Sequence, residues 1–234
     1  MREKLAHILK QVSLRVLFAG LTFLMALYIF ALVTDEVIFE KEEKFDHAVF
    51  HFLRDDLTPG LISVMRFFTF FGKPDFLIPA YVMLIIYFAV RRKKQYAIET
   101  GIMGGSSTLL LFGLKALFQR NRPEMPILKE ITGFSFPSGH ALLTFVFCSM
   151  LIYFVWNSHV YRTWKWAIAV FLLLFSLVVG ISRIVLRVHY ASDVIAGLCL
   201  GYAWVIIGLW VQRNYLNHKK LLGEQAEHSP ISAG

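Results

Sequence analysis

The sequence predicts an all-α membrane protein: a bundle of six transmembrane helices with an amphipathic helical segment on its outer side. Three observations predict it. The 234 residues are 57% hydrophobic and 17% charged, with a mean hydropathy of +0.59, too little polar surface to cover a soluble core. The apolar residues fall in blocks near the roughly 20 residues that a helix needs to cross a hydrocarbon core of about 30 Å. The Lys and Arg residues alternate from side to side between those blocks, as the positive-inside rule requires of a multi-pass protein.

The six blocks lie at about 14–33, 75–90, 96–118, 141–156, 164–182 and 194–211. Lipid offers no partner to an open backbone group, so each block is read as a helix. The first follows Arg2, Lys4 and Lys10; it is too long for a signal-peptide core and reads as a retained span. The stretch from Leu61 to Phe71 is too short to cross and carries Arg66, so it reads as an interfacial or re-entrant segment. Residues 1–221 then form a single membrane domain with an outer loop at about 34–74, and the polar end, 222–234, is expected to be a disordered tail.

Thirteen of the 24 Lys and Arg residues fall at the N-terminus, at Arg91 to Lys94, at Arg162 and Lys165, and in the tail. This puts both termini in the cytoplasm, and the net charge of +8 reports topology. No basic stripe interleaved with aromatics appears on a polar segment, which excludes nucleic acid as a partner. The outer loop is acidic, and within it Phe45, Ala48, Val49, Phe52 and Leu53 recur at helical spacing. That segment reads as an amphipathic helix on the outer leaflet, either a substrate-entry element or a simple cap on the bundle. Gly101 with Gly105 and Gly197 with Gly201 have the spacing that lets helices approach closely within a bundle. Cys148 and Cys199 sit inside apolar blocks and make neither a disulfide framework nor a metal-ligand spacing.

The topology brings three polar clusters to one face: Lys115, Arg120 and Arg122 after the third span, Pro137-Ser138-Gly139-His140 before the fourth, and Arg183, Arg187, His189 and Asp193 between the fifth and sixth. Lys115, Arg122 and Arg183 lie at the ends of apolar spans, where a charge needs an anionic partner or must snorkel to water. Glu124, Glu130 and Asp193 are the nearby carboxylates. Pro137 marks a helix start, and the backbone N–H groups around Gly139 form a natural anion site there.

His189 and Asp193 are four residues apart, on one face if the last helix begins near Val188. The carboxylate then sets the tautomer that leaves the other ring nitrogen as a nucleophile, while His140 is placed as a general acid. Taken singly, each of these residues reads equally as a surface side chain. Three cations around two histidines favour a phosphoryl group over a metal ion, which they would repel, so neither metal nor cofactor is expected.

These residues resemble the signature of the type 2 phosphatidic acid phosphatase (PAP2) superfamily in three complete, ordered parts. Lys115, six residues, then Arg122-Pro123 is the first; Pro137-Ser138-Gly139-His140 is the second; Ser182-Arg183, five residues, His189, three residues, Asp193 is the third. The resemblance implies a six-helix core of the PAP2/haloperoxidase kind. It implies that Lys115, Arg122, Arg183, Ser138 and Gly139 bind phosphate, that His189 attacks phosphorus, that His140 protonates the leaving group and that Asp193 orients His189. Arg120 and Arg187 lie outside the pattern, as a second phosphate or head-group contact or as snorkelling surface residues.

The function expected is a metal-independent, bacterial inner-membrane lipid phosphatase working on the extracytoplasmic side through a phosphohistidine. Undecaprenyl pyrophosphate, phosphatidylglycerol phosphate, phosphatidic acid and lipid A phosphates are the candidate substrates. A lipid phosphotransferase and a non-enzymatic lipid-binding or transport protein are the alternatives, and the sequence leaves the oligomeric state open.

Overall fold

A computed structural model describes residues 2–128 and 132–228, with side chains described at 14, 16–128 and 132–215. Its described residues form eight α-helices: α1 (Arg2–Thr34), α2 (Lys44–Leu53), α3 (Pro59–Phe70), α4 (Pro74–Val90), α5 (Lys94–Phe118), α6 (Gly139–Trp156), α7 (Arg162–Val185) and α8 (Ala191–His228). A π-helical turn, Asp35–Phe39, extends α1. Six segments are long and apolar enough to span a membrane, with α3 and α4 counted as one, Pro59–Val90. At 12 residues, α3 is too short to cross alone. It packs along α7, its Phe68 and Phe71 rings 6.0 and 5.2 Å from that of Phe175.

Local chemistry sets the helix ends. Pro59 and Pro74 open α3 and α4 in the first turn, where a missing N–H costs nothing, and the Thr58 side chain accepts from Leu61 N–H at 3.2 Å. Gln119, at φ 48°, turns the chain out of α5, and Arg187, at φ 52°, follows the end of α7. The helix α8 continues to His228, past Leu222 where the sequence suggested a disordered tail. Leu, Glu, Gln and Ala dominate that stretch and are good helix formers, which polarity alone does not reveal. Residues 229–234 lie outside the described residues.

α6 is central, packed on α7 and α8, with α1 against α8 and α4 against α5. Small residues permit this. A Cβ at Gly197 would lie 2.7 Å from the Ser138 carbonyl oxygen, and one at Gly201 3.2 Å from that of Leu142, so this pair seats α8 directly on the backbone of α6. The other pair is out of register: Gly105 has nothing within 4 Å and Gly101 only Ile85 at 3.9 Å, while Gly104 between them meets the Tyr81 ring at 3.0 Å. The Gly-x-x-x-Gly spacing marked the correct helix but not the face that α4 covers. Replacing Gly197 by Ala is expected to force α8 away from Ser138 at a cost of about 1–3 kcal/mol. The check is a lowered unfolding temperature in detergent, which Gly105→Ala does not reproduce.

Candidate active site

The antiparallel bundle brings the end of α5, the start of α6, the end of α7 and the start of α8 to one face, and with them all eight residues singled out in the sequence. The three signature cations are held by neutral acceptors. Lys115 Nζ donates to the Phe134 and Ser135 carbonyls. Arg122 donates to the carbonyls of Val188 at 2.7 Å, Gly133 at 2.9 Å and Phe134 at 3.4 Å. Arg183, 2% exposed, donates to Thr69 Oγ1 at 2.6 Å. Among the described residues none of the three makes an ion pair; Glu124 is exposed, and Glu130 lies outside the described residues. Three cations thus lie in mutual Coulombic range, fixed by groups that carry no charge, an arrangement able to accept an anion.

The carboxylates go instead to Arg120. Far from snorkelling, Arg120 is buried and donates through Nη1 to Asp193 Oδ1 at 2.7 Å and to Ser192 Oγ at 2.7 Å, and through Nη2 to Asp46 Oδ2 at 2.8 Å. Its guanidinium lies over the Tyr190 ring, 4.1 Å from the centroid. Burial works against its charge, but Asp193 and Asp46 more than offset it and raise its pKa above the ordinary value. Arg187 lies over the Phe50 ring at 5.8 Å.

His189 does not share a helix face with Asp193, because α8 starts at Ala191, three residues later than the sequence suggested. Asp193 sits in the first turn and its Oδ2 accepts from Tyr190 N–H at 3.0 Å, satisfying a donor ahead of the helix in the manner of a capping box. His189 precedes the helix, yet its Nδ1 still lies 3.3 Å from Asp193 Oδ2. Its Nε2 lies 3.2 Å from Arg122 Nη1. Arginine has no acceptor, so Nε2 must present its lone pair and Nδ1 must carry the proton, donated to Asp193. Ser135 Oγ donates to Asp193 Oδ2 at 2.5 Å and lies 3.2 Å from Nδ1, completing the orientation of the ring.

Ser138 caps α6, with its amide donating to the Asp193 carbonyl at 3.0 Å. Its hydroxyl, His140 Nε2 and Arg183 Nε are all buried without a hydrogen-bond partner among the described residues. Buried polar atoms are normally satisfied, and His140 lies in Coulombic range of Arg183, His189 and Arg122. A bound oxyanion and its leaving oxygen would satisfy them. Gly72 closes this side, since a Cβ there would meet His140 Cδ2 at 2.6 Å. No group of three or more His, Cys, Asp or Glu among the described residues is arranged to hold a metal ion.

Burial pushes His189 down from 6.5 to about 3, against the opposing pull of the Asp193 hydrogen bond and charge. The folded state therefore keeps the ring neutral while an unfolded chain protonates near 6.5, so this residue's contribution to stability is complete above 6.5 and falls as the pH drops toward 3. Expected accordingly is a kcat/KM profile for a phosphomonoester with no His189 ionisation between about pH 5 and 8. Any acid limb near pH 6 belongs to the second ionisation of the substrate's phosphate, about 6. A limb at 6.5 that stayed fixed when the substrate's own pKa was changed would contradict this assignment.

Ser135, Thr69, Asp46 and Ser192 had not been anticipated. Ser192 adjoins Asp193 and Ser135 precedes Phe136-Pro137, a proximity to the motifs that could have drawn notice. Thr69 and Asp46 are placed by tertiary packing alone.

These residues sit at one end of a six-span helical bundle. Residues 77–216 match the PAP2 superfamily. Phosphatidylglycerophosphatase B of Bacillus subtilis (strain 168) is 32% identical over 145 residues, 61% of this chain and 71% of that protein. The crystal structure of the first transmembrane PAP2 type phosphatidylglycerolphosphate phosphatase from Bacillus subtilis superposes with a TM-score of 0.70 at 25% identity, covering 84% of this chain and 96% of that one. Aquifex aeolicus LpxE gives a TM-score of 0.54 at 25% identity over 69% of this chain and 93% of its own. The chain belongs to the PAP2 superfamily and is a membrane-integral phosphatase of that family.

Proposed function

We propose that this protein hydrolyses the terminal phosphate of a lipid phosphomonoester, phosphatidylglycerol phosphate foremost, at the extracytoplasmic surface of a bacterial inner membrane, through a phosphohistidine and without a metal ion. One observation carries the reading: among the described residues Lys115, Arg122 and Arg183 lie in mutual Coulombic range with no carboxylate partner, and Arg122 sits 3.2 Å from the lone-pair nitrogen of His189. The head group is chosen from the likeness to the Bacillus subtilis enzyme. Undecaprenyl pyrophosphate, phosphatidic acid and lipid A phosphates offer the same combination of apolar tail and terminal phosphate. The basic termini and basic loops on the opposite face support the topology.

In this mechanism Lys115, Arg122, Arg183, the Ser138 hydroxyl and the backbone amides around Gly139 bind the phosphate oxygens. They are fixed before the charge develops, which is where electrostatic catalysis gains most. His189 Nε2 attacks phosphorus in line, the P–O bond to the lipid breaks, and His140 gives its proton to the departing oxygen. Water, losing its proton to His140, then cleaves the P–N bond and releases phosphate and free His189. Asp193 holds the Nδ1 proton throughout and stabilises the positive charge that the ring acquires.

The test is a panel of lipids of equal acyl content, bearing a monophosphate or a pyrophosphate, given to purified protein in detergent with the terminal phosphate labelled. Label is expected as free phosphate, most rapidly from phosphatidylglycerol phosphate, and at an unchanged rate in EDTA. Label recovered on an acceptor lipid, or activity lost in EDTA and restored by a divalent cation, would overturn the corresponding part of the reading.

A further inference from the structure

The outer helix α2 carries an unexpected buried charge. Its apolar residues Phe45 and Phe52 are exposed, at 46% and 77%, while Asp46 between them is 1% exposed. The sequence placed the apolar face on the outer leaflet, in a substrate-entry element or a simple cap on the bundle; the packed face is the one that bears the acid. Asp46 Oδ1 accepts from Ser192 N–H at 2.9 Å, and Oδ2 from Ser192 Oγ at 2.6 Å and Arg120 Nη2 at 2.8 Å. Glu43, one turn earlier and part-buried, lies 3.4 Å from the same guanidinium nitrogen. These contacts join residues 74 and 146 positions apart in the chain, so they are not incidental to local structure.

Arg120 is bound among three carboxylates, closely by Asp193 and Asp46 and at 3.4 Å by the part-exposed Glu43, and only Asp193 belongs to the dyad. Asp193 is 0% exposed and divides its oxygens: Oδ1 takes Arg120, and Oδ2 takes Ser135, Tyr190 N–H and His189. One arginine is thus set against the carboxyl groups of Asp193 and Asp46, with Glu43 at its edge, so the cluster beside the His189 ring holds more acids than bases. That ring becomes positive when Nε2 bonds to phosphorus. Without the Asp46 carboxylate, Arg120 would rest on Asp193 with only the longer, part-exposed Glu43 contact to share it, and the developing ring charge would lose counter-charge in a low-dielectric setting where such terms are strong.

We propose that Asp46 and Arg120 are positioning residues for the catalytic dyad: Asp46, delivered by the outer loop, restrains Arg120 and offsets its charge, so that Asp193 is held by one oxygen and remains anionic toward His189 by the other. The amphipathic segment thereby completes the site from outside the four helices that carry the signature residues. This rests on the proposed phosphatase reading, in which His189 is the nucleophile.

The experiment compares wild type, Asp46→Asn, Arg120→Gln, the double variant and His189→Ala in detergent, recording kcat, KM and unfolding temperature for a lipid phosphate. Asp46→Asn is expected to lower kcat about tenfold, less than the roughly 10²-fold that removing a direct transition-state donor costs, with KM within about twofold because no phosphate contact is lost. The double variant is expected to be no slower than the slower single, as for residues acting through one path. A wild-type kcat in Asp46→Asn, or losses that multiply in the double variant, would overturn the clamp; so would a loss that vanishes when rates are normalised to folded protein. Should Asp46→Asn not fold, Ser192→Ala removes a hydroxyl bonded to both Asp46 and Arg120, and it is expected to lower kcat about threefold; an unchanged kcat there would overturn the clamp equally. An active His189→Ala would instead sink the underlying mechanism, whatever Asp46 does.

Discussion

Replacing His189 by Ala is expected to slow phosphate release by at least about 10³-fold, a loss of roughly 4 kcal/mol or more of transition-state stabilisation. In the proposed mechanism the side chain supplies the electrons for the first bond to phosphorus, and within the described site its Nε2 faces Arg122 with the ring held from behind. Residual turnover reflects water attacking a phosphate still gripped by Lys115, Arg122 and Arg183, since none of their bonds to Phe134, Ser135, Gly133, Val188 carbonyls or Thr69 depends on the imidazole. The variant should therefore bind inorganic phosphate with an affinity within a few-fold of wild type, measured by calorimetry in detergent. Lost turnover with retained binding is the diagnostic pair. Turnover equal to wild type would remove His189 from the mechanism.

Asp193→Asn carries the second large effect, about 10³- to 10⁴-fold in kcat, by analogy with the loss when the carboxylate of a hydrolase triad is made an amide. The carboxylate accepts on Oδ1 from Arg120 and on Oδ2 from Ser135, Tyr190 and His189. An amide has one acceptor and one donor end. If its NH2 faces Arg120, two donors meet; if it faces Oδ2's partners, His189 must turn its Nδ1 lone pair inward and put its proton on Nε2, which then confronts Arg122. The second orientation loses the nucleophilic tautomer; the first keeps it but sets a donor against Arg120, and either one removes the carboxylate charge that would stabilise the positive ring. The fold should survive better than loss of a buried counter-ion usually permits, because Arg120 keeps Asp46. The check is single-turnover phosphate release by protein that remains monodisperse and retains its unfolding transition. Activity within tenfold of wild type would mean that Asp193 does not set the tautomer.

These two variants concern residues that were legible in the sequence, as were the six spans. Apolar blocks of membrane length can only be helices, and six of them with alternating charge bring Lys115, His140, Arg183 and His189 to one face whatever their packing. The division of labour among the arginines was not legible. Arg120 and Arg122 are two residues apart, yet one meets Asp46 and Asp193 while the other meets carbonyls and a histidine. That difference depends on where the loop at 133–135 points its oxygens and on the docking of α2, neither of which has a periodicity to read. Asp46 was hidden for the same reason: on a helix with exposed Phe45 and Phe52, the hydrophobic pattern describes the apolar face and says nothing of the face that packs on the bundle. The start of α8 was displaced because His189 and Asp193 meet across a helix start, a contact that the i, i+4 spacing mimics.

The central claim is that phosphate passes through His189 before it reaches water, and the stereochemical course at phosphorus tests it most directly. Each in-line displacement inverts the configuration. A lipid thiophosphate made chiral with two oxygen isotopes and hydrolysed in water carrying the third should give inorganic thiophosphate with net retention, the outcome of two inversions. Net inversion would mean a single direct attack by water and would contradict the account.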